Sequence, residues 1–398
     1  MNKKTILAVD VGTGMVKVFA GKLQADGTVD ILGSGTAPTA GYEKGVITDV
    51  NALTHSIRQA VDCVIMAVDE QMTDCVYLGI SGSTLVTQNS IGSVAVTTPE
   101  TITPQDIERA CKAATFEIEQ DKYEILHVFA ARNSLAKTGE AVEVEAHIVA
   151  VPKDILGEIS HALKESGLTL NCIIAGDIMA AETIKKELPG KPENFIFMDI
   201  GAGTTDFVMY VGGNPCFSAS LPLGGDYITN DLMQGLTVNR AHAEEIKRYY
   251  SRLSSDLRNQ GVVLDCNDYG TTDKHVSYDF LYDIIESRVD EIVGLVYDYI
   301  KPRLSQYVTE NGQTLERIYL TGGSGAMPSM ASRIANVFQI NTEMVKPVHL
   351  PVEYAQPANT VCYGIIDYGA RVLASEPVVG KSAWDVLIRK AKKLLKIC

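Results

Sequence analysis

The sequence predicts a duplicated α/β fold with a small inserted α+β subdomain and a C-terminal amphipathic helix. Three observations carry this. The pattern strand, Asp-x-Gly-x-Gly, strand occurs twice, at Asp10 and at Asp199, 189 positions apart. Residues from about 84 to 168 change character, with helices and alternating strands of their own. The last stretch, Lys381 to Cys398, combines basic and apolar residues at helical spacing.

The bulk numbers agree with a folded chain. At 398 residues there is room for two or more domains with full cores. Apolar residues make up 46% and charged residues 21%, which excludes a disordered chain. The formal net charge of −14 argues against nucleic acid as a partner. Eight cysteines form no C-x-x-C pair, which fits reduced thiols in the cytosol. Thr5-Ile-Leu-Ala-Val9 stops at Asp10, too soon for a signal peptide, and reads as a first strand. No stretch is long and apolar enough to span a bilayer.

The first hairpin is Asp10-Val-Gly-Thr-Gly-Met-Val-Lys17. The second is Asp199-Ile-Gly-Ala-Gly-Thr-Thr-Asp206, between Phe195–Met198 and Phe207–Val211. Glycines let the backbone approach a bulky anion, so its N–H groups and the threonine hydroxyls can bond phosphate oxygens. Acids repel phosphate. They are expected to hold a divalent cation through water, or to orient an attacking water. Lys17 can neutralise phosphate as a point charge. Both turns run strand to strand, whereas Rossmann and P-loop turns run strand to helix. Two such hairpins suggest two halves closing on one nucleotide.

Between the hairpins, 50–66 has helical spacing, with Leu53, Ile57, Ala60, Val61 and Val64 on one face. Cys75–Ile80 is a buried-type strand. Thr103-Pro104 caps a helix expected to reach about Glu119. Tyr123–Ala131 and Ala141–Val151 read as strands, and Pro152-Lys-Asp154 opens a helix ending at Gly167. Cys172–Asp177 is a strand ending in glycine and acid. Asp177 is expected to be exposed there, either positioning water or simply capping the next helix.

After the second hairpin, Tyr227–Leu236 reads as a helix, and a long helix is expected from Asn239, carrying Ala243-Glu-Glu-Ile-Lys247. Residues 262–276 read as a loop or edge strand. Val276–Leu304 is helical, with Leu281, Ile284, Ile285, Val289, Ile292 and Val293 inward. Leu315–Thr321 is a strand ending in Gly322-Gly-Ser-Gly-Ala-Met327. That turn can lay an adenine or ribose against backbone, or can be only a tight turn.

In the tail, Trp384, Leu387, Ile388, Ala391, Leu394 and Leu395 follow i, i+3, i+4, i+7 spacing. Six Lys/Arg and one acid give it +5, leaving −19 on the remainder. A basic, amphipathic, terminal helix is expected to lie in an anionic membrane interface. A helix docked on the acidic body, or a calmodulin-type target, is the alternative.

The two Asp-x-Gly-x-Gly hairpins and Gly322-Gly-Ser-Gly resemble the actin/Hsp70/sugar-kinase ATPase superfamily, with its ribonuclease H-like domains. Within it, the position of the insert and the basic tail resemble the FtsA family of actin-like bacterial cell-division proteins. So do Val29–Gly33, Gly45–Asp49, Val76–Gly82, Gln88–Gly92, Leu126-His127, His147-Ile148, Gly224–Asp231, Ala243–Lys247 and Ile285–Arg288. The resemblance implies subdomain 1A over 1–83 and 169–194, the family-specific insert 1C over 84–168, and subdomain 2A over 195–226 and 313–355. It puts 2B at 227–312, a return to 1A at 356–375, a linker at 376–380 and a membrane-targeting helix at 381–398.

It also implies roles. ATP phosphates would meet Gly12, Thr13, Gly14 and Lys17 from one half, and Gly201, Gly203, Thr204 and Thr205 from the other. Mg2+ would be held through water by Asp10, Asp199 and Asp206. Asp177 and Asp199 would be the catalytic acids of, at most, a slow ATPase. Glu244 and Lys247 would lie near ribose and adenine, with Gly322, Gly323, Ser324 and Met327 on the other face. Trp384, Leu387, Ile388, Arg389, Lys390, Lys392, Lys393, Leu394 and Leu395 would bind anionic membrane lipid. Arg288 would belong to the region receiving the FtsZ C-terminal peptide. Further partners would be copies of the chain itself and other divisome proteins, at the cytoplasmic face of the membrane at the septum. Three departures stand out: the insert is short between Ala131 and Ala141, Met15 stands where many members carry lysine, and Asp177 stands where many carry no acid. A type IV pilus scaffold of the PilM kind and a small-molecule kinase are the alternatives.

Overall fold

The computed structural model describes residues 5–68, 76–96, 102–131, 136–138, 141–251, 253, 255–265, 275–306, 312 and 315–375. The predicted basic helix at 381–398 lies outside these residues, as does the linker before it.

The first lobe begins with a meander of β1 (Thr5–Val11), β2 (Met15–Leu23) and β3 (Val29–Pro38). The short hairpin β4 (Tyr42–Glu43) and β5 (Val46–Ile47), helix α1 (Val50–Ala67) and β6 (Val76–Ile80) follow. The insert contains β7 (Val86–Ala95), α2 (Pro104–Ala114), β8 (Tyr123–Ala130), β9 (Ala136–Thr138) and β10 (Ala141–Pro152). The chain then returns through α3 (Lys153–Glu165), β11 (Leu170–Ala175) and α4 (Gly176–Glu187).

The second lobe contains β12 (Phe195–Ile200), β13 (Thr205–Val211), β14 (Asn214–Leu221), α5 (Gly225–Leu236) and α6 (Arg240–Tyr250). Next come β15 (Val263–Asp265), β16 (His275–Ser277), α7 (Tyr278–Leu304), β17 (Arg317–Thr321), α8 (Met330–Phe338) and β18 (Thr342–Met344). Helix α9 (Thr360–Ser375) crosses back to the first lobe, where it packs on β1 and α4.

The duplication is visible in the sheets. The first runs β3-β2-β1-β6-β11 and the second β14-β13-β12-β17-β18. In each, three antiparallel strands are followed by two parallel ones. The central strands β1 and β12 are buried on both faces, so they read as continuous apolar runs.

Alternation along these strands assigns the layers. Leu7 and Val9 face α1 and α3, while Ile6 and Ala8 face α4 and α9. In the second lobe, Ile196 and Met198 face α5 to α8, while Phe195 and Phe197 share the α4/α9 core. The α4/α9 layer therefore joins both sheets. Gly364 sets its spacing, since a Cβ there would lie 2.4 Å from the Ala180 backbone nitrogen.

Helix α1 buries Leu53, Ile57, Ala60, Val61 and Val64, the face its spacing predicts. Asp49 caps it by accepting from the N–H groups of Asn51 and Ala52. In the insert, β10 is the middle strand between β7 and β8. Thr103 and Asp106 form a capping box on α2, and Pro104 occupies its first turn. Helix α2 stops at Ala114, followed by a 3-10 turn to Glu117, so it falls short of the expected Glu119. Helix α3 buries Ile159, Ala162 and Leu163 in the first lobe's core, against α1.

Two expectations after the second hairpin need correction. The long helix from Asn239 is the 11-residue α6, capped by Asn239 itself. Ile284 is only half-buried, although the other five named residues of α7 are buried.

Candidate functional site

The two glycine hairpins meet tip to tip. Each turn is closed the same way: Gly12 N–H donates to the Met15 carbonyl at 3.2 Å, and Gly201 N–H to the Thr204 carbonyl at 2.9 Å. A Cβ on Gly203 would lie 2.6 Å from the Thr13 side chain, and one on Gly14 would lie 2.9 Å from Ala202 Cβ. Only glycine allows this approach at the tips. The register pairs Asp10 with Lys17 in one hairpin and Asp199 with Asp206 in the other.

Four carboxylates converge below the tips. Asp10, Asp177, Asp199 and Asp206 are each at most 9% exposed. Burial raises the pKa of all four, and mutual repulsion raises those of Asp177 and Asp199 further. At Asp206, burial is partly offset by hydrogen bonds from the Thr204 hydroxyl at 2.8 Å and from Gly82 N–H at 3.0 Å. Lys17 Nζ lies 3.8 Å from Asp10 and donates to the Ala358 carbonyl. Its charge favours the ionised form of Asp10 and of Asp199.

Asp177 is not where the sequence places it. It is buried rather than exposed, and it is not an N-cap. Ala175 is the N-cap, and Asp177 sits inside the first turn of α4. The strand–helix junction turns inward because α4 belongs to the layer shared by both sheets.

Four desolvated acids beside one lysine are a donor set that suits a divalent cation. Among the described residues, no three acids, histidines or cysteines are grouped as direct metal ligands.

One wall of the second lobe is polar and closely packed. Lys247, 9% exposed, donates to the Gly225 carbonyl at 3.1 Å, to Thr229 Oγ1 at 2.7 Å and to Glu244 Oε1 at 2.7 Å. Burial pushes the Glu244 carboxyl up, but Lys247 and Thr229 hold it below its usual value. Gly225 abuts Ser324, whose Oγ would be 2.1 Å from a Cβ there. Gly322 has φ +93°, and a Cβ on it would strike Asp199 Oδ1 at 2.3 Å. The Gly322–Ser324 turn thus sits directly against Asp199, with Gly323 near Ala358. Two expected residues face inward instead. Thr205 donates its hydroxyl to the Leu223 carbonyl at 2.8 Å, and Met327 is buried in the second-lobe core.

Sequence reasoning missed a bridge at the cleft mouth. Lys44, at φ +51° in the β4–β5 turn, donates from Nζ to Tyr227 Oη on α5 at 3.0 Å. Arg288 lies 5.7 Å from the same ring and grips Asp231 through two bonds of 2.5 and 2.8 Å. Lys44-Gly45 is a readable hairpin turn, but nothing local points across the cleft.

The family model for cell division protein FtsA matches residues 196–364, from the second hairpin into α9. The cell division protein FtsA of Pseudomonas aeruginosa is 28% identical over 390 residues, spanning 92% of this chain and 89% of that protein. The chain is a relative of the FtsA cell-division proteins. Among solved structures, the PilM–PilN type IV pilus biogenesis complex aligns with TM-score 0.65 at 18% identity, covering 94% of this chain and 99% of the other. MreB5 of Spiroplasma citri bound to ADP aligns with TM-score 0.53 at 14% identity, covering 94% and 99%. This FtsA relative therefore has the actin-like ATPase fold that its hairpins predict. Among its described residues, no helix is long and apolar enough to cross a membrane.

Proposed function

We propose that this FtsA relative binds ATP with magnesium between its two hairpins, and in that closed state assembles with copies of itself on the cytoplasmic membrane, anchors FtsZ filaments at the septum and recruits other divisome proteins. The observation that carries the reading is the tip-to-tip contact of the hairpins over four buried acids. Gly12, Thr13, Gly14 and Lys17 take the phosphates from one side, and Gly201, Gly203 and Thr204 from the other. Thr205 braces the loop that follows β14. Asp10, Asp199 and Asp206 hold magnesium through water, and the cation offsets the charge of acids and phosphates. Glu244, Lys247, Gly322, Gly323 and Ser324 line the nucleoside side. Asp177 orients a water for slow hydrolysis. Lys381–Cys398 binds anionic lipid, and the 227–312 region, with Arg288, receives the FtsZ C-terminal peptide.

Two titrations of the purified full chain test this. A fluorescent ATP analogue should bind in a magnesium-dependent manner, and an FtsZ C-terminal peptide should bind at micromolar concentration. Absence of the first removes the clamp. Absence of the second, with the first intact, favours a pilus scaffold.

A further inference from the structure

The insert touches both lobes, and at each contact it presents one buried histidine. His127, on β8, is 1% exposed, and its Nε2 accepts from the backbone N–H of Ala175 at 3.1 Å. His147, on β10, is also 1% exposed. Its Nε2 lies 2.8 Å from Ser218 Oγ on β14 of the second lobe, and its Nδ1 lies 2.7 Å from Asn89 Oδ1. The Asn89 amide nitrogen donates onward to the Cys216 carbonyl at 3.0 Å, and Thr87 Oγ1 donates to the Ser218 carbonyl at 2.9 Å. Since Asn89 Oδ1 can only accept, Nδ1 carries the proton and Nε2 accepts from Ser218.

Both anchor points lead straight into the clamp. Ala175 is two residues before Asp177. Strand β14 runs into the segment 223–226, which holds the second hairpin: Leu223 accepts from Thr205, Gly225 N–H donates to the Gly201 carbonyl at 3.0 Å, and Asp226 N–H to the Ala202 carbonyl at 2.7 Å. We propose that the insert is a strap across the lobes, fastened by His127 to the first and by His147 to the second, so that its docking and nucleotide-bound closure form one linked equilibrium. This rests on the ATP reading above. Linkage is reciprocal: if ATP favours the docked insert, releasing the insert weakens ATP binding by the same factor.

Hydrogen exchange on the full chain, with and without magnesium-ATP, tests it. The readout is residues 86–95 and the edge strand 214–221. The companion variant is Thr87→Ala/Ser218→Ala, which deletes two cross-lobe hydroxyls and leaves the core of the insert intact. ATP should slow exchange in both segments of the wild type, and the variant should bind the ATP analogue about fivefold or more weakly. The strap is overturned if ATP protects the hairpins at 10–17 and 199–206 while 86–95 and 214–221 exchange unchanged. It is also overturned if the folded variant binds ATP as the wild type does. Should the variant not fold, the wild-type exchange decides alone. A wild type that binds no ATP overturns the nucleotide reading, and the strap with it.

Discussion

Asp206, in the second lobe, accepts a hydrogen bond from the backbone N–H of Gly82, in the first, at 3.0 Å. Gly82 has φ +91° and lies against Gly45, so that N–H is held in place by a position only glycine fills comfortably. The bond crosses the lobe boundary from within the acid cluster. The charge at Asp206 therefore serves two purposes that conflict: it repels neighbouring acids and it is part of the closure.

Asp206→Asn separates them. The asparagine oxygen can still accept from Gly82, but the charge is gone. Without nucleotide the variant should be more stable by about 1 kcal/mol, because a buried acid under repulsion is neutralised. Magnesium-dependent ATP binding should fall about tenfold or more. Calorimetric melting and an ATP-analogue titration check the two halves. A variant that is destabilised and binds ATP normally would contradict the charge argument.

Gly203→Ala tests the hairpin contact. Its Cβ would sit 2.6 Å from Thr13, so the tips must separate. ATP affinity should drop about tenfold, with a stability loss of about 1 kcal/mol. The control is Gly157→Ala in α3, where an added Cβ meets nothing within 4 Å. It should leave binding unchanged and stabilise the fold by about 0.5–1 kcal/mol. Equal ATP affinity in both variants would refute the tip-to-tip argument.

Much of this fold is legible because the motif repeats. Asp10 and Asp199 occupy equivalent places in two sheets of the same order, so the repeat points to two lobes built alike. The α1 face was readable because its burial follows a single period. What was not legible depends on long-range placement. Asp177 reads as an exposed strand end, yet the fold buries it beside Asp10, Asp199 and Asp206, which come from strands distant in sequence. Nothing in the sequence around Lys44 points to Tyr227, 183 positions away, which it reaches in the fold. Helix ends drifted for a local reason: Thr115–Glu117 tightens into a 3-10 turn that the apolar spacing does not reveal.

His147 supplies a pH signature. Burial pushes its pKa down to about 4, from an ordinary value near 6.5. The unfolded chain then binds the extra proton first, so stability is fully present above about 6.5 and is lost as pH falls towards about 4. Glu145, bonded through Asn89, is the nearest acid along this network. The loss attributable to His147 is at most about 3 kcal/mol. His147→Gln should flatten the slope of stability between pH 6.5 and 4 (about that range) in denaturant titrations. An unchanged slope would place the acid sensitivity elsewhere.

The tail makes the last prediction. Lys381–Cys398 carries +5 on a chain of −14, and its apolar residues recur at i, i+3, i+4, i+7 spacing. Each basic residue near an anionic leaflet contributes about 1 kcal/mol, so charge and buried apolar area act together. Deleting 381–398 should abolish sedimentation with phosphatidylserine-containing vesicles and leave ATP affinity unchanged, because the clamp lies wholly before residue 360. For the intact chain, raising salt from about 0.1 M to about 1 M shortens the screening length from about 10 Å to about 3 Å. Binding should weaken with salt yet persist in part through the apolar face. Truncated protein that still sediments with the vesicles would move the membrane contact into the body of the molecule. Truncated protein that loses ATP binding as well would mean that the tail supports the fold.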